Sequence, residues 1–157
     1  MNRNKAVQDD TEKYGEEDIY SSLRLENQLC FPLYACARKV TGLYTPFFKP
    51  YGLTYTQYIV LMVLWEKDGI PVGELCRRLY LDNGTLTPLL KRMEEHGLLT
   101  RERSTEDERI VVISLTGEGK KLREAVSHFP EKVGPCVPLS KEESITLYQL
   151  LYKILNS

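Results

Sequence analysis

The stretch Pro71–Leu115, PVGELCRRLYLDNGTLTPLLKRMEEHGLLTRERSTEDERIVVISL, decides the fold because its hydrophobic period changes from helical to strand-like partway along. Pro71 suits the first turn of a helix, where its missing N–H costs nothing, and Val72, Leu75, Cys76 and Leu79 give that helix one apolar face. Leu81-Asp82-Asn83-Gly84 interrupts it. An Asn-Gly pair often turns a hairpin, but no alternating pattern flanks this one. The four residues are therefore read as a turn into a second helix capped by Asp82 or Asn83. That helix carries Leu86, Leu89, Leu90 and Met93 inward and is expected to stop at His96-Gly97, glycine being the usual left-handed terminator. Pro88 in its interior is expected to remove a backbone hydrogen bond and kink it. From Leu98 to Ser104 and from Ile110 to Leu115 the period is two, and the charged loop Thr105–Arg109 joins the runs. Helix, tight turn, helix and charged hairpin is the element order of a winged helix-turn-helix. The fold class expected is mainly α with a small β-wing.

On the N-terminal side, Leu25, Leu29, Leu33, Ala37 and Val40 recur at spacings of three or four and predict a helix from Leu25. Tyr44 and Pro46 close it, and Lys49-Pro50-Tyr51-Gly52 is a breaker. Thr54 or Thr56 caps the next helix, whose apolar stripe is Tyr58, Leu61, Met62 and Trp65. On the C-terminal side, Thr116 caps a long helix carrying Leu122, Ala125, Val126 and Phe129, with Glu118 in its first turn. Pro130, Pro135 and Pro138 break up the segment after that helix, and Ser140 caps a last helix bearing Ile145, Leu147, Leu150, Leu151 and Ile154. Residues 1–24 are polar and acidic and read as a flexible arm. Residues 25–157 form a single domain, with the winged lobe at 53–115.

The chain has 157 residues, 42% apolar and 27% charged, which is ordinary for a soluble globular domain. No apolar run approaches the roughly 20 residues of a membrane span, and the start lacks the apolar core of a secretory signal. A cytoplasmic protein with no membrane partner is expected. The net charge of −1 argues mildly against a nucleic-acid partner, but residues 1–27 hold four basic and seven acidic side chains, leaving 17 basic and 15 acidic in the remainder. Any DNA-binding surface must then come from local clustering of Arg and Lys. The four cysteines, Cys30, Cys36, Cys76 and Cys136, lie 6, 40 and 60 residues apart, with no C-x-x-C pair and two histidines, His96 and His128. That spacing argues against a zinc site, and no metal or cofactor is implied. Free cysteines in a reducing compartment are mostly small buried apolar residues. Cys36 and Cys76, at inward-looking helical positions, are assigned to the core.

In a winged helix-turn-helix the second helix reads base edges in the major groove while the hairpin tip reaches the neighbouring minor groove. Asn83, Thr85, Thr87 and Lys91 offer polar groups near the N-terminal end of that helix. Arg77, Arg78 and Arg92 are candidate phosphate ligands. Arg101, Arg103 and Arg109 are the cations of the wing, and Asp107 is placed to hold the Arg109 guanidinium. The same fold used only for protein contacts is the alternative that fold alone leaves open.

The run LYLDNGTLTPLLKRMEEHGLLTRERSTEDERIVVISLTGEGKKL resembles the recognition helix, wing and following helix of MarR-type regulators. Asp107-x-Arg109 in the wing and Leu115-Thr116-x-x-Gly119 after it carry the resemblance, which extends from about Leu25 to the C-terminus. It implies a homodimer joined through the first and last helices, residues 25–52 and 116–157, binding an inverted-repeat operator in double-stranded DNA. It also implies that a proline in the recognition helix is tolerated. Within that family the chain most resembles the organic-hydroperoxide-sensing repressors, through CFPLYACARK at Cys30–Lys39, Tyr44, and LTYTQY at Leu53–Tyr58. Tyr34, Tyr44 and Tyr55 stand four, fourteen and twenty-five residues after Cys30, as the tyrosines around the reactive cysteine do in that subfamily. The resemblance further implies that Cys136 resolves oxidised Cys30 through an intersubunit disulfide.

Elementary chemistry supports the same roles. A thiolate, not a thiol, attacks a peroxide, so a sensor must lower its cysteine pKa below the free value of about 8.5. Phenolic hydroxyls donate hydrogen bonds to sulfur and favour the charged form. With a helix starting at Leu25, Cys30 lies beyond the first turn, and the helix dipole is left out of the expectation. The sulfenic acid formed condenses readily with a second thiol, either Cys136 or a small thiol. The function expected is a DNA-binding regulator, a repressor released by organic hydroperoxide, and not an enzyme. Two other readings fit the same residues: a MarR-type repressor switched by a small phenolic ligand, and a thiol peroxidase on this fold.

Overall fold

In the computed structural model, residues 20–157 are described, and they fall into two compact units divided between Lys39 and Val40. Most of the flexible arm expected at 1–24 lies outside the described residues.

In the first unit, two short 3-10 turns, Ser21–Leu23 and Leu25–Asn27, precede helix α1, Cys30–Gly42. The helix expected from Leu25 therefore starts five residues later, after an extended Gln28. Pro32 explains the shift. It stands in the first turn of a helix beginning at Cys30, where a proline is accommodated, whereas a helix from Leu25 would place it in the interior.

In the second unit, α2 (Thr45–Phe48) and a 3-10 turn lead to α3, Tyr55–Glu66. Thr54 closes a capping box with Gln57, accepting its N–H at 3.3 Å while the Gln57 side chain accepts the Thr54 N–H at 2.8 Å. The stripe expected on α3 is a nearly complete cylinder: Val60, Leu61, Val63 and Leu64 are buried, and Met62 is 40% exposed rather than inward. Strand β1 (Ile70–Pro71) pairs antiparallel with β3 (Val111–Leu115), and β3 with β2 (Leu99–Arg103), giving the order β1-β3-β2. Pro71 thus precedes α4 (Val72–Leu79) as its cap residue and belongs to a strand that a two-residue apolar pattern does not announce.

Helix α5, Asn83–Glu95, is capped by Asp82, whose carboxylate accepts the Thr85 N–H at 2.8 Å. Pro88 lies inside it and the helix continues through. Gly84, whose carbonyl loses its donor, is exposed, so water can take the place of the missing N–H. Leu75, Leu86, Leu90, Met93, Leu99 and Ile113 close the core between the two helices and the sheet.

Thr116 caps α6, Gly117–Val126. The long helix expected here breaks at Ser127-His128, and Phe129 opens a separate short helix, α7 (Phe129–Val133), because Pro130 fits only a first turn. The Leu115-Thr116-x-x-Gly119 motif has a local cause. Leu115 is buried, Thr116 Oγ1 donates to Gly97 O at 2.6 Å and accepts the Gly119 N–H at 3.1 Å, and Trp65 Nε1 donates to Gly119 O at 2.9 Å. A Cβ on Gly119 would collide with the Leu98 carbonyl oxygen and come within 3.1 Å of Leu115 Cδ2. Gly119→Ala should accordingly lower the unfolding free energy by about 1–3 kcal/mol, read as a denaturant midpoint shift; an unchanged midpoint would contradict this packing. The last helix, α8 (Lys141–Leu155), starts at the expected capping residue, Ser140, in a capping box with Glu143.

Among the described residues, no helix is long and apolar enough to cross a membrane, and no group of His, Cys, Asp and Glu is arranged to hold a metal ion.

Candidate DNA-reading head and thiol site

Asn83, Thr87 and Lys91 recur every four residues on α5 in a stripe beside the buried Leu86, Leu90 and Met93, and all three are exposed. Asn83 Oδ1 accepts the Cys76 S–H at 3.3 Å, and the Thr85 hydroxyl donates to Asp82 at 2.8 Å. The first turn of the helix is thereby ordered from below. Arg77 and Arg92 are exposed, Arg92 Nε donating to Pro88 O at 3.4 Å, while Arg78 is ion-paired with Glu66.

In the wing, Arg103 Nη1 donates to Glu108 O at 3.3 Å. Asp107 grips Arg109 through both carboxylate oxygens, accepting Nε and Nη2 at 3.0 Å each, and also takes the Arg109 backbone N–H at 3.0 Å. The Arg109 side chain is 90% exposed. Its hydrogen bonds hold the Asp107 carboxyl below the usual carboxylate range. The fork fixes the direction of a long cation at the loop tip, so less of its rotamer freedom is lost on binding. Arg101 is held differently, by Glu94 on α5.

The thiol residues divide between the two units. In the first, Cys30 is exposed and is the first residue of α1, not beyond the first turn as the sequence suggested. Its S–H is directed to Gln28 Oε1 at 3.9 Å and the Phe31 N–H is taken by Gln28 O, while the positive end of the helix dipole favours an anion at this position. Tyr34 lies one turn on, its hydroxyl accepting from Arg38 Nη1 at 3.3 Å, with the guanidinium 5.6 Å from its ring centroid. Cys36, assigned to the core from its helical position, is exposed: α1 buries no residue, so an apolar periodicity on it does not mark an inside.

In the second unit Tyr44 and Tyr55 come together, ring centroids 5.4 Å apart. Tyr58, which the sequence placed only in an apolar stripe, joins them at 5.9 Å from Tyr44 and 6.4 Å from Tyr55. The Tyr55-x-x-Tyr58 spacing, one helical turn, is the signal that could have found it. Burial raises all three phenols above their ordinary range, with Tyr55 adding to the rise at Tyr44 and both neighbours adding at Tyr58. All three remain O–H donors up to about pH 10 and beyond. Unfolded phenols ionise first, so the stability the cluster gives is complete below about pH 10 and is lost as pH rises through the raised values. Melting temperatures measured across that range should fall, and fall less in Tyr55→Phe; identical pH profiles would contradict the burial account. Cys136 is exposed in the 3-10 turn Gly134–Cys136, its S–H directed to Lys132 O at 3.6 Å. Cys76 is half-buried against the core.

Two helices at a tight turn, a three-stranded sheet and an exposed, braced arginine at the hairpin tip define a winged helix-turn-helix protein. The family model for the transcriptional regulator SarA/Rot matches residues 42–126. The chain is 46% identical over 144 residues to the organic hydroperoxide resistance transcriptional regulator of Bacillus subtilis (strain 168), covering 90% of this chain and 96% of that one. It is 42% identical over 134 residues to the HTH-type transcriptional regulator MgrA of Staphylococcus aureus, covering 85% and 91%. Among solved structures, reduced AbfR bound to DNA is similar at a TM-score of 0.72 and 37% identity, over 86% of this chain and 94% of that one. Disulfide-formed AbfR is similar at 0.60 and 38%, over 85% and 94%; AbfR is a protein of Staphylococcus epidermidis. The chain belongs to the SarA/Rot family of transcriptional regulators, which bears out the resemblance read from its motifs.

Proposed function

We propose that the protein is a homodimeric, DNA-binding repressor that leaves its operator when an organic hydroperoxide oxidises Cys30. The observation that carries this is Cys30 itself, exposed at the first residue of α1 in a chain 46% identical to a regulator named for organic hydroperoxide resistance. Residues 53–115 are the DNA-binding lobe, and 25–52 and 116–157 are the dimerisation segments. A second copy is the occupant that suits α8, which leaves Ile145, Tyr148, Leu150 and Ile154 about half exposed or more; water alone would make that face costly. Asn83, Thr85, Thr87 and Lys91 contact bases. Arg77, Arg92 and, once released from Glu66, Arg78 take phosphates, while Arg103 and Arg109 serve the minor groove.

The chemistry balances with the hydroperoxide as sole oxidant. The Cys30 thiolate attacks the terminal peroxide oxygen, the O–O bond breaks, and the alkoxide takes a proton and leaves as the alcohol. Tyr34, Tyr44 and Tyr55 are the phenol donors in this reading. The Cys136 thiol of the other subunit then attacks the sulfenic sulfur, forming the S–S bond and releasing water. Solved forms of AbfR carry the names reduced, overoxidised and disulfide-formed, the first two bound to DNA, which supports a thiol-controlled DNA binder. The oxidised group is consumed once per release rather than turned over, so the protein acts as a regulator and not an enzyme, working in the cytoplasm. The test is binding of the reduced and the peroxide-treated protein to a duplex carrying the inverted repeat that the wild-type protein enriches from a randomised pool. Binding lost on oxidation and restored by dithiothreitol is expected; equal binding by both forms would overturn the proposal.

A further inference from the structure

Helix α5 and the wing are tied together by one carboxylate. Glu94, in the last turn of α5, accepts the Arg101 backbone N–H on Oε1 at 3.0 Å and Arg101 Nε on Oε2 at 2.8 Å. Arg101 lies on β2, an edge strand of the sheet. The bonds from Thr116 N–H to Leu98 O and from Ser104 N–H to Ile110 O fix the parity of the ladder, so the Arg101 N–H points away from β3. Such an edge donor is ordinarily left to water. Here it is filled from the helix, and the same carboxylate holds the guanidinium. Arg101 also lines the cleft of about 510 Å³ between α5 and the wing, together with Asn83, Thr87 and Arg109.

We infer that Glu94 is a positioning residue that sets how far the wing stands from α5, and that Arg101, one of the wing's cations, is its anchor rather than a DNA contact. This rests on the DNA-binding reading above. Asn83 and Thr87 at one end and Arg109 at the other engage a major and an adjacent minor groove, whose separation the duplex fixes. Both contacts form at once only if the distance between helix and hairpin is preset, and the carboxylate fork spans that distance. Charge and position make opposite demands on Glu94. A carboxylate facing DNA opposes phosphate binding, so removing its charge tightens binding unless the group positions the wing.

The test measures Glu94→Gln and Arg101→Lys in their reduced forms on the enriched inverted-repeat duplex. Binding should weaken about 10-fold in Glu94→Gln, in the range a lost charge-assisted bond gives. Hydroxyl-radical protection should fade at the outer minor grooves while major-groove protection persists. Arg101→Lys keeps the charge but loses the Nε fork, and should weaken binding similarly. Melting temperature and dimer content verify that each variant folds. Glu94→Gln binding as tightly as wild type or tighter, or Arg101→Lys at full affinity, overturns the inference while leaving the DNA-binding reading intact. A wild-type protein that binds no duplex overturns both.

Discussion

Cys30→Ser should bind the operator as the reduced wild type does and stay bound after peroxide treatment. Wild type treated with a stoichiometric amount of cumene hydroperoxide should lose affinity on the order of 100-fold, the upper part of the roughly 1–3 kcal/mol over which one site usually controls another. The reasoning starts from the position of the sulfur. Cys30 opens α1 and is exposed, so a serine there retains a small polar group at the helix start and disturbs no core, while its hydroxyl does not react with a peroxide. Cys36→Ser is the matched control: its thiol is also exposed, but it lies half a helix further on, away from the N-terminal end. It should respond to peroxide like wild type. Release of DNA from Cys30→Ser by peroxide, measured by fluorescence anisotropy, would remove Cys30 from the mechanism.

The second large effect is on assembly. Leu147→Asp combined with Leu151→Asp places two charges one turn apart on α8, at side chains 43% and 37% exposed in the single chain. The subunit should fold, because neither residue belongs to the buried core. The dimer should not form, since a carboxylate buried without a partner is expensive. A monomer holds one recognition helix, so the gain from linking two half-site contacts disappears, and operator affinity should drop by about 10²–10⁴-fold. Sedimentation velocity and anisotropy together check this. A variant that sediments as a dimer and binds at full strength would show that α8 is not the interface.

The reading head was legible in the sequence because its signals are local. Asp82 before an apolar periodic run, Gly97 with its left-handed backbone and the change of period at Leu98 each act within a few residues. The Asp107–Arg109 fork, two residues wide, was equally visible. The features that sequence patterns missed depend on partners far along the chain. Strand β1 is two residues long and exists only because β3 lies beside it. Asp68, just beyond α3, accepts the Leu115 N–H at 2.8 Å and pairs with Lys120, tying the end of that helix to the sheet. Glu94, one of two adjacent glutamates, is distinguished from Glu95 only by the edge strand it meets. The start of α1 and the exposure of Cys36 follow from constraints that leucine spacing does not carry: Pro32 fits only a first turn, and α1 buries none of its apolar residues. Of the three clustered phenols, the motif marks Tyr44 and Tyr55 as donors, whereas the hydrophobic period absorbs Tyr58 into packing.

In the proposed mechanism, peroxide chemistry at Cys30, completed by Cys136, controls DNA binding. Non-reducing electrophoresis after one equivalent of cumene hydroperoxide per subunit tests it most directly, run beside operator binding on the same samples. A disulfide-linked dimer that forms as binding is lost, and is absent from both Cys30→Ser and Cys136→Ser, is the result expected. Loss of binding with no linked dimer in wild type would contradict the Cys136 assignment, and binding unchanged with no linked dimer would contradict peroxide control at Cys30.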